Sequence, residues 1–295
     1  MDLNALFSAR LLIPTGVRGV YGFGQAFEAI VECFDAYATR MGAHARPEVI
    51  RFPPLLPRRS YQKTDHLETF PNLMGSVHSF IGDERGSLQL ASKKAAGEDW
   101  SGDLSATEVM LSPAACYPLY PTATGTLPAG GRTVDLRSFV FRHEPSDDPA
   151  RMQMFRMREY VRIGTPEQAL EHRKQWLVRA EEMLRAVGLD VKPVLANDPF
   201  FGRGGRVMAA TQREQELKYE LVVPVTSPTV PTAVASCNYH LDHFGHSFDI
   251  HTEDGAVAHS ACIGFGLERV ALALFETHGF MSAQWPSHVR NLLEL

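Results

Sequence analysis

The sequence predicts an α+β fold in which an antiparallel β-sheet is flanked by α-helices, and three observations carry that prediction. Phe139 to Glu144 alternates as a strand does, the turn formers Pro145-Ser-Asp-Asp-Pro149 follow, and a second run places Phe155, Met157 and Glu159 on one face; together they read as an antiparallel hairpin. Phe27, Ile30, Val31, Phe34, Ala38 and Met41 recur at three and four residues, the spacing of an amphipathic helix that Gly42 would close as a C-cap. Thr165-Pro-Glu-Gln168 is a capping box with proline at the first helical position, and the helix it opens carries Leu170, Leu177, Ala180, Leu184 and Val187 before Gly188 can end it.

The remaining elements fall between these. Glu48 to Phe52 reads as a strand halted by Pro53 and Pro54. In the first hairpin strand, Arg142 and Glu144 would point one way and Phe139, Phe141 and His143 the other. A glycine-rich loop begins near Asn197, Val207 to Gln215 reads as a short helix, and Leu221 to Val225 as a strand entering the core. Gly264 to Arg269 leads into the apolar run Val270 to Phe275. No repeat, linker or low-complexity run divides the 295 residues, so a single domain, 1–295, is expected, with an insertion near 198–216 that could bind a partner.

Composition narrows the function classes. With 44% hydrophobic residues the chain can bury a large core, and a net charge of -5 gives no global basic field of the kind that grips nucleic-acid phosphates. Cys33, Cys116, Cys237 and Cys262 are scattered without CxxC spacing, so neither a disulfide framework nor a zinc knuckle is indicated. The N-terminus has no basic run before an apolar stretch, and nowhere do 18 apolar residues run together. A cytoplasmic protein with no membrane association is expected.

Arg142, Glu144, Arg151, Phe155 and Glu159 resemble motif 2 of the class II aminoacyl-tRNA synthetases, Phe-Arg-x-Glu followed by Arg-x-x-x-Phe-x-x-x-Glu. Gly264, Gly266 and Arg269 resemble motif 3, and Ser236-Cys237-Asn238 with Asp242 and Phe244 resembles a segment of the seryl enzymes. The helix from Phe27 and the strand from Glu48 are similar to motif 1, the dimer interface of the class, although an ordinary packed helix explains them equally. The resemblance implies a class II catalytic core, a homodimer and an ATP site. Acyl activation brings a carboxylate against the α-phosphorus, so a fixed cation must bridge two anions. The resemblance assigns that part to Arg142, adenine to Phe155 and Glu144, and the outer phosphates to Arg269 and Arg151, whose guanidinium forks suit bidentate contacts.

An atypical archaeal group of seryl enzymes and its relatives hold zinc with two cysteines and a glutamate. Cys116, Glu159 and Cys262 match that pattern, and three protein ligands leave zinc an open position for an amino group. His240, His243 and His246 are spaced by three; on a core strand after Asn238 they would alternate faces and could not converge on one ion. The seryl segment has an acid four positions before the cysteine that helps hold Mg²⁺, and here that position is Ala233.

The class II core begins almost at once, without the charged helical arm by which seryl-tRNA synthetases grip tRNA. The chain therefore resembles most the amino acid:[carrier protein] ligases, truncated seryl-like enzymes. That resemblance implies zinc and Mg²⁺ with ATP, activation of a small amino acid, glycine or alanine, and transfer to the phosphopantetheine thiol of a carrier protein, not to tRNA. An armless seryl-tRNA synthetase and a non-catalytic class II paralogue serving as a regulatory subunit are the alternatives. Carriers are typically acidic, so Arg203, Arg206 and Arg213 are the candidate docking residues.

Overall fold

The computed structural model describes residues 1–198, 215–227 and 229–295. Its centre is a seven-stranded sheet. In chain order the strands are β1 (Glu48–Ile50), β2 (Arg132–Phe141), β3 (Met154–Gly164), β4 (Lys192–Leu195), β5 (Lys218–Val223), β6 (Thr232–Leu241) and β7 (His259–Gly266). Their spatial order is β4-β5-β6-β7-β3-β2-β1. Every neighbouring pair is antiparallel except β1 with β2, which run parallel.

Three helices pack on one face: α1 (Gln25–Gly42), α2 (Pro166–Ala186) and α3 (Leu267–His278). The capping box of α2 forms as expected, with Thr165 accepting from the Gln168 N–H and Gln168 accepting from the Thr165 N–H. Gly188 follows with a left-handed φ of +86°, the conformation that glycine adopts without steric cost. Gly42 has a different role from the one expected. It is still helical, with φ -86°, and the chain passes into a short 3₁₀ turn, Ala43–Ala45, before Arg46 turns left-handed. Glycine is needed at 42 because a Cβ there would run into the Tyr160 ring.

Alternation along β3 decides what the helices meet. Tyr160 stacks on Trp176 of α2 at 4.5 Å, and Trp176 and Phe34 of α1 both meet Phe265 of β7 edge-on. The same face carries Arg156 and Arg158. Arg158, 1% exposed, donates to Asp35 of α1 at 2.6 Å and to Asp135 of β2 at 2.5 Å. Arg156 donates to Glu28 of α1 and Glu268 of α3, both at 2.7 Å. Arg137 joins Asp35 to Glu32. Glu28, Glu32 and Asp35 recur at four and three residues, so one stripe of α1 presents acids to the arginines beneath it.

The hairpin β2–β3 forms in the predicted order with shifted bounds. β2 begins at Arg132 and ends at Phe141, so Arg142 and Glu144 lie beyond the strand rather than on it. The Arg142 N–H still reaches the Gln153 carbonyl at 2.9 Å, whereas the Glu144 N–H turns back onto the Arg142 carbonyl at 2.8 Å. The ladder stops because the His143 N–H leaves the hairpin for the Leu73 carbonyl at 3.0 Å, and Pro145 has no N–H with which to resume it. The Leu221 strand is β5, with Leu221 and Val223 buried. The expected helix over Val207 to Gln215 falls almost entirely outside the described residues, as do Arg203, Arg206 and Arg213.

A smaller antiparallel sheet, Leu55–Pro57, Ser105–Leu111 and Ser76–Ser79, sits with a helix, Glu84–Ala96, and its own cluster of Leu56, Tyr61 and Met110. Among the described residues no helix is long and apolar enough to cross a membrane. Arg158→Ala would leave the buried carboxylates of Asp35 and Asp135 facing each other without their shared cation. The expected loss is about 3–5 kcal/mol of unfolding free energy, read from urea denaturation; a loss below about 1 kcal/mol would mean the ion network contributes nothing to holding α1.

Candidate active site

The opposite face of the sheet is a cavity of about 690 Å³, and strand register composes its floor. Glu220, Ser236, Gly264 and Glu159 lie directly opposite one another across β5, β6, β7 and β3, and Lys218, Asn238 and Cys262 form the next row. Residues opposed in this way share a face, and all seven line the cavity. Gly264 leaves the floor bare between Ser236 and Glu159.

Phe155, Arg142 and Arg269 gather at one part of it. The Arg142 guanidinium lies 5.8 Å from the Phe155 ring centre and donates through Nε to the Pro113 carbonyl at 3.2 Å. Arg269, in the first turn of α3, lies 6.0 Å from the same ring and donates to the carbonyls of Ala150 at 2.8 Å and Ala233 at 3.0 Å. Burial first, and the positive charge of Arg142 second, push Arg269 down to about 10. Two cations held near one aromatic ring form an anion site. Glu144 and Arg151 do not line the cavity; they pair with each other at 3.7 Å, Arg151 exposed and Glu144 half-buried. Both charges nevertheless act on Arg269.

Cys116, Glu159 and Cys262 come together from a loop, β3 and β7. Cys262 first, and burial next, hold the Cys116 thiol well above its usual range, and the charge of Glu159 adds to it. Burial, with the charge of Cys262 next, raises the Glu159 carboxyl to about 8, and its Oε2 is buried with no partner. The neighbouring Cys116 draws Cys262 below the usual thiol range, against burial, and His240 and Asn238 add to it. Asn238 Nδ2 donates to Cys262 Sγ at 3.6 Å, and His240 Nε2 lies 3.5 Å from the same sulfur. Thiolate and carboxylate donors with an orphaned oxygen suit a borderline-soft ion such as zinc. Among the described residues, however, no group of three or more His, Cys, Asp or Glu is arranged so that it could hold a metal ion.

The histidine run behaves differently from expectation. Only His240 is on a strand; Leu241 turns left-handed at φ 53°, and His243 and His246 fall on the short helix His243–Phe248. His243 pairs with Asp65 at 3.3 Å. His240 is a cavity residue that the spacing argument passed over, although it lies two positions from Asn238 and so shares its face. The same count from Ser236 and its partner strand identifies Glu220 and Lys218. His66 is buried in the cavity wall, held down to about 4 by burial and by Arg142, with Nε2 unpartnered. It arrives on the short helix His66–Thr69, between the Leu55–Pro57 and Ser76–Ser79 strands of the small sheet, and no local pattern marks it.

No protein-family model matches the chain. The amino acid–[acyl-carrier-protein] ligases 1 and 2 of Bradyrhizobium diazoefficiens are each 44% identical, over 97% and 95% of this chain and 88% and 84% of their own lengths. Among solved structures, the Methanopyrus kandleri seryl-tRNA synthetase bound to Aquifex aeolicus tRNASec superposes with a TM-score of 0.83 at 21% identity, covering all of this chain and 60% of that one. The fold is therefore that of a class II synthetase catalytic core, and the chain belongs to the family of amino acid–[acyl-carrier-protein] ligases.

Proposed function

We propose that the chain activates glycine or alanine with ATP as the aminoacyl-adenylate and passes the aminoacyl group to the phosphopantetheine thiol of a carrier protein. The observation that carries this reading is the sharing of one sheet face by Phe155, with its two guanidinium neighbours, and the Cys116, Glu159 and Cys262 trio. Four residues separate Phe155 from Glu159 on β3, a span of about 13 Å. That leaves room for phosphate between a base at one end and an amino acid at the other.

In the first step an amino-acid carboxylate oxygen forms a bond to the α-phosphorus and the bond to pyrophosphate breaks. Arg142, whose charge acts on Glu159 while its guanidinium lies near Phe155, bridges the two anions. Phe155 stacks adenine with help from Glu144, and Arg269 and Arg151 hold the leaving pyrophosphate. In the second step the thiol sulfur attacks the carbonyl carbon, the bond to AMP breaks, and the thiol proton leaves to solvent. Zinc, held by Cys116, Glu159 and Cys262, would supply an open coordination position for the substrate amine. Arg203, Arg206 and Arg213 remain the docking candidates, and the exposed edge strand β1, with Val49 63% exposed, is where a homodimer partner would sit. Dependence on ATP and holo carriers supports a reaction in the cytoplasm.

Loading of radiolabelled glycine or alanine onto carriers tests the function. The holo carrier becomes labelled, whereas the apo carrier and bulk tRNA do not; label on tRNA with none on any holo carrier would contradict it. Arg142→Ala should lower the rate of adenylate formation by 10² to 10³, about 3–4 kcal/mol, the usual cost of removing one electrostatic stabiliser. A loss under about tenfold, by single-turnover measurement, would remove Arg142 from the chemistry. Zinc should copurify at about one ion per chain, and Cys262→Ser should lose it. Because zinc must displace the protons of Glu159, raised to about 8, and of Cys116, its apparent affinity should climb as pH rises towards that value. Metal affinity independent of pH, or undiminished zinc in the variant, would sink the ligand assignment.

A further inference from the structure

A cavity that receives a triphosphate contains carboxylates as well as arginines. Glu220 lines it, and the register of β5 turns Glu220 to the same side as Ser236, directly opposite on β6. Its charge acts on Arg269, the guanidinium assigned to the outer phosphates. Lys218 does not cancel it fully, because this ammonium lies 3.4 Å from Glu220 Oε1 and also pairs with Asp198, so one cation serves two carboxylates. A carboxylate fixed here repels phosphate oxygens unless a divalent cation stands between them.

Ala233 has no acid to offer, and its carbonyl is already engaged by Arg269. Its cross-strand partner is Val222, and the irregularity at Leu221/Val222 lies between that pair and the Glu220 row. A carboxylate absent from β6 is thus present on the adjoining strand, over the same cavity. Carboxylate and hydroxyl oxygens are the hard donors Mg²⁺ prefers, and Mg²⁺ keeps most of its waters, needing only one or two carboxylates from protein.

We propose that Glu220 anchors the Mg²⁺ that accompanies ATP, taking the place of the acid missing at Ala233. This rests on the ATP reading above and names the residue that completes it.

Calorimetric titration of the zinc-loaded protein with α,β-methylene ATP, in Mg²⁺ and in magnesium-free buffer, tests the assignment. In the native protein Mg²⁺ tightens binding by at least about tenfold, within the usual range of coupling between two ligands. Glu220→Gln abolishes that gain while magnesium-free binding is unchanged or tighter, since a repulsion has been removed, and Glu220→Asp keeps the gain. A Glu220→Gln protein that retains the full gain, one that loses affinity equally with and without Mg²⁺, or a native protein indifferent to Mg²⁺ would overturn the proposal. A native protein that binds the nucleotide in neither buffer would instead refute the ATP reading itself.

Discussion

Each residue of β3 must face either the helices or the cavity, and the period of two leaves no third option. Arg156, Arg158 and Tyr160 therefore go to the helices, and Phe155, Met157 and Glu159 to the cavity. A slip of one residue would put two arginines into the substrate site and a lone carboxylate under α1. The register is fixed from the helix side, where Glu28, Asp35, Asp135 and Glu268 fit only arginines at 156 and 158. An uncompensated charge buried there would cost several kcal/mol. The arrangement of the cavity face is thus set by charges on the face that packs against the helices.

The cavity is electrostatically divided. Arg142 and Arg269 give positive potential near Phe155, and Cys116, Glu159 and Cys262 line another part of the same cavity. Burial amplifies both, since charges removed from water interact over longer distances with less screening. It pushes Arg269 down and Glu159 up, so each charged form gains from a partner of opposite sign: an anion for one, a cation for the other.

How much of this was readable from sequence follows the range of each signal. Short patterns held: the capping box of α2, the face shared by Phe155, Met157 and Glu159, and the glycine turn after α2 each depend on residues within one or two turns of chain. The order of motif residues identified the family before any geometry. What failed depended on long-range packing. Gly42 looks like a cap locally, and only the Tyr160 ring, more than a hundred residues away, shows why it is glycine. His240 and Glu220 were legible by alternation from Ser236 but were obscured, one by the more conspicuous triplet of histidines and the other by lack of a motif. His66 could not be found, because the segment that carries it reaches the cavity by a path no periodicity describes.

The central claim is that one sheet face binds an amino acid beside ATP and joins them. Amino-acid-dependent exchange of radiolabelled pyrophosphate into ATP, run across the twenty amino acids with zinc-loaded protein, measures it most directly. The account predicts strong exchange with glycine or alanine and little with bulky side chains. Exchange driven by none of the twenty would contradict it.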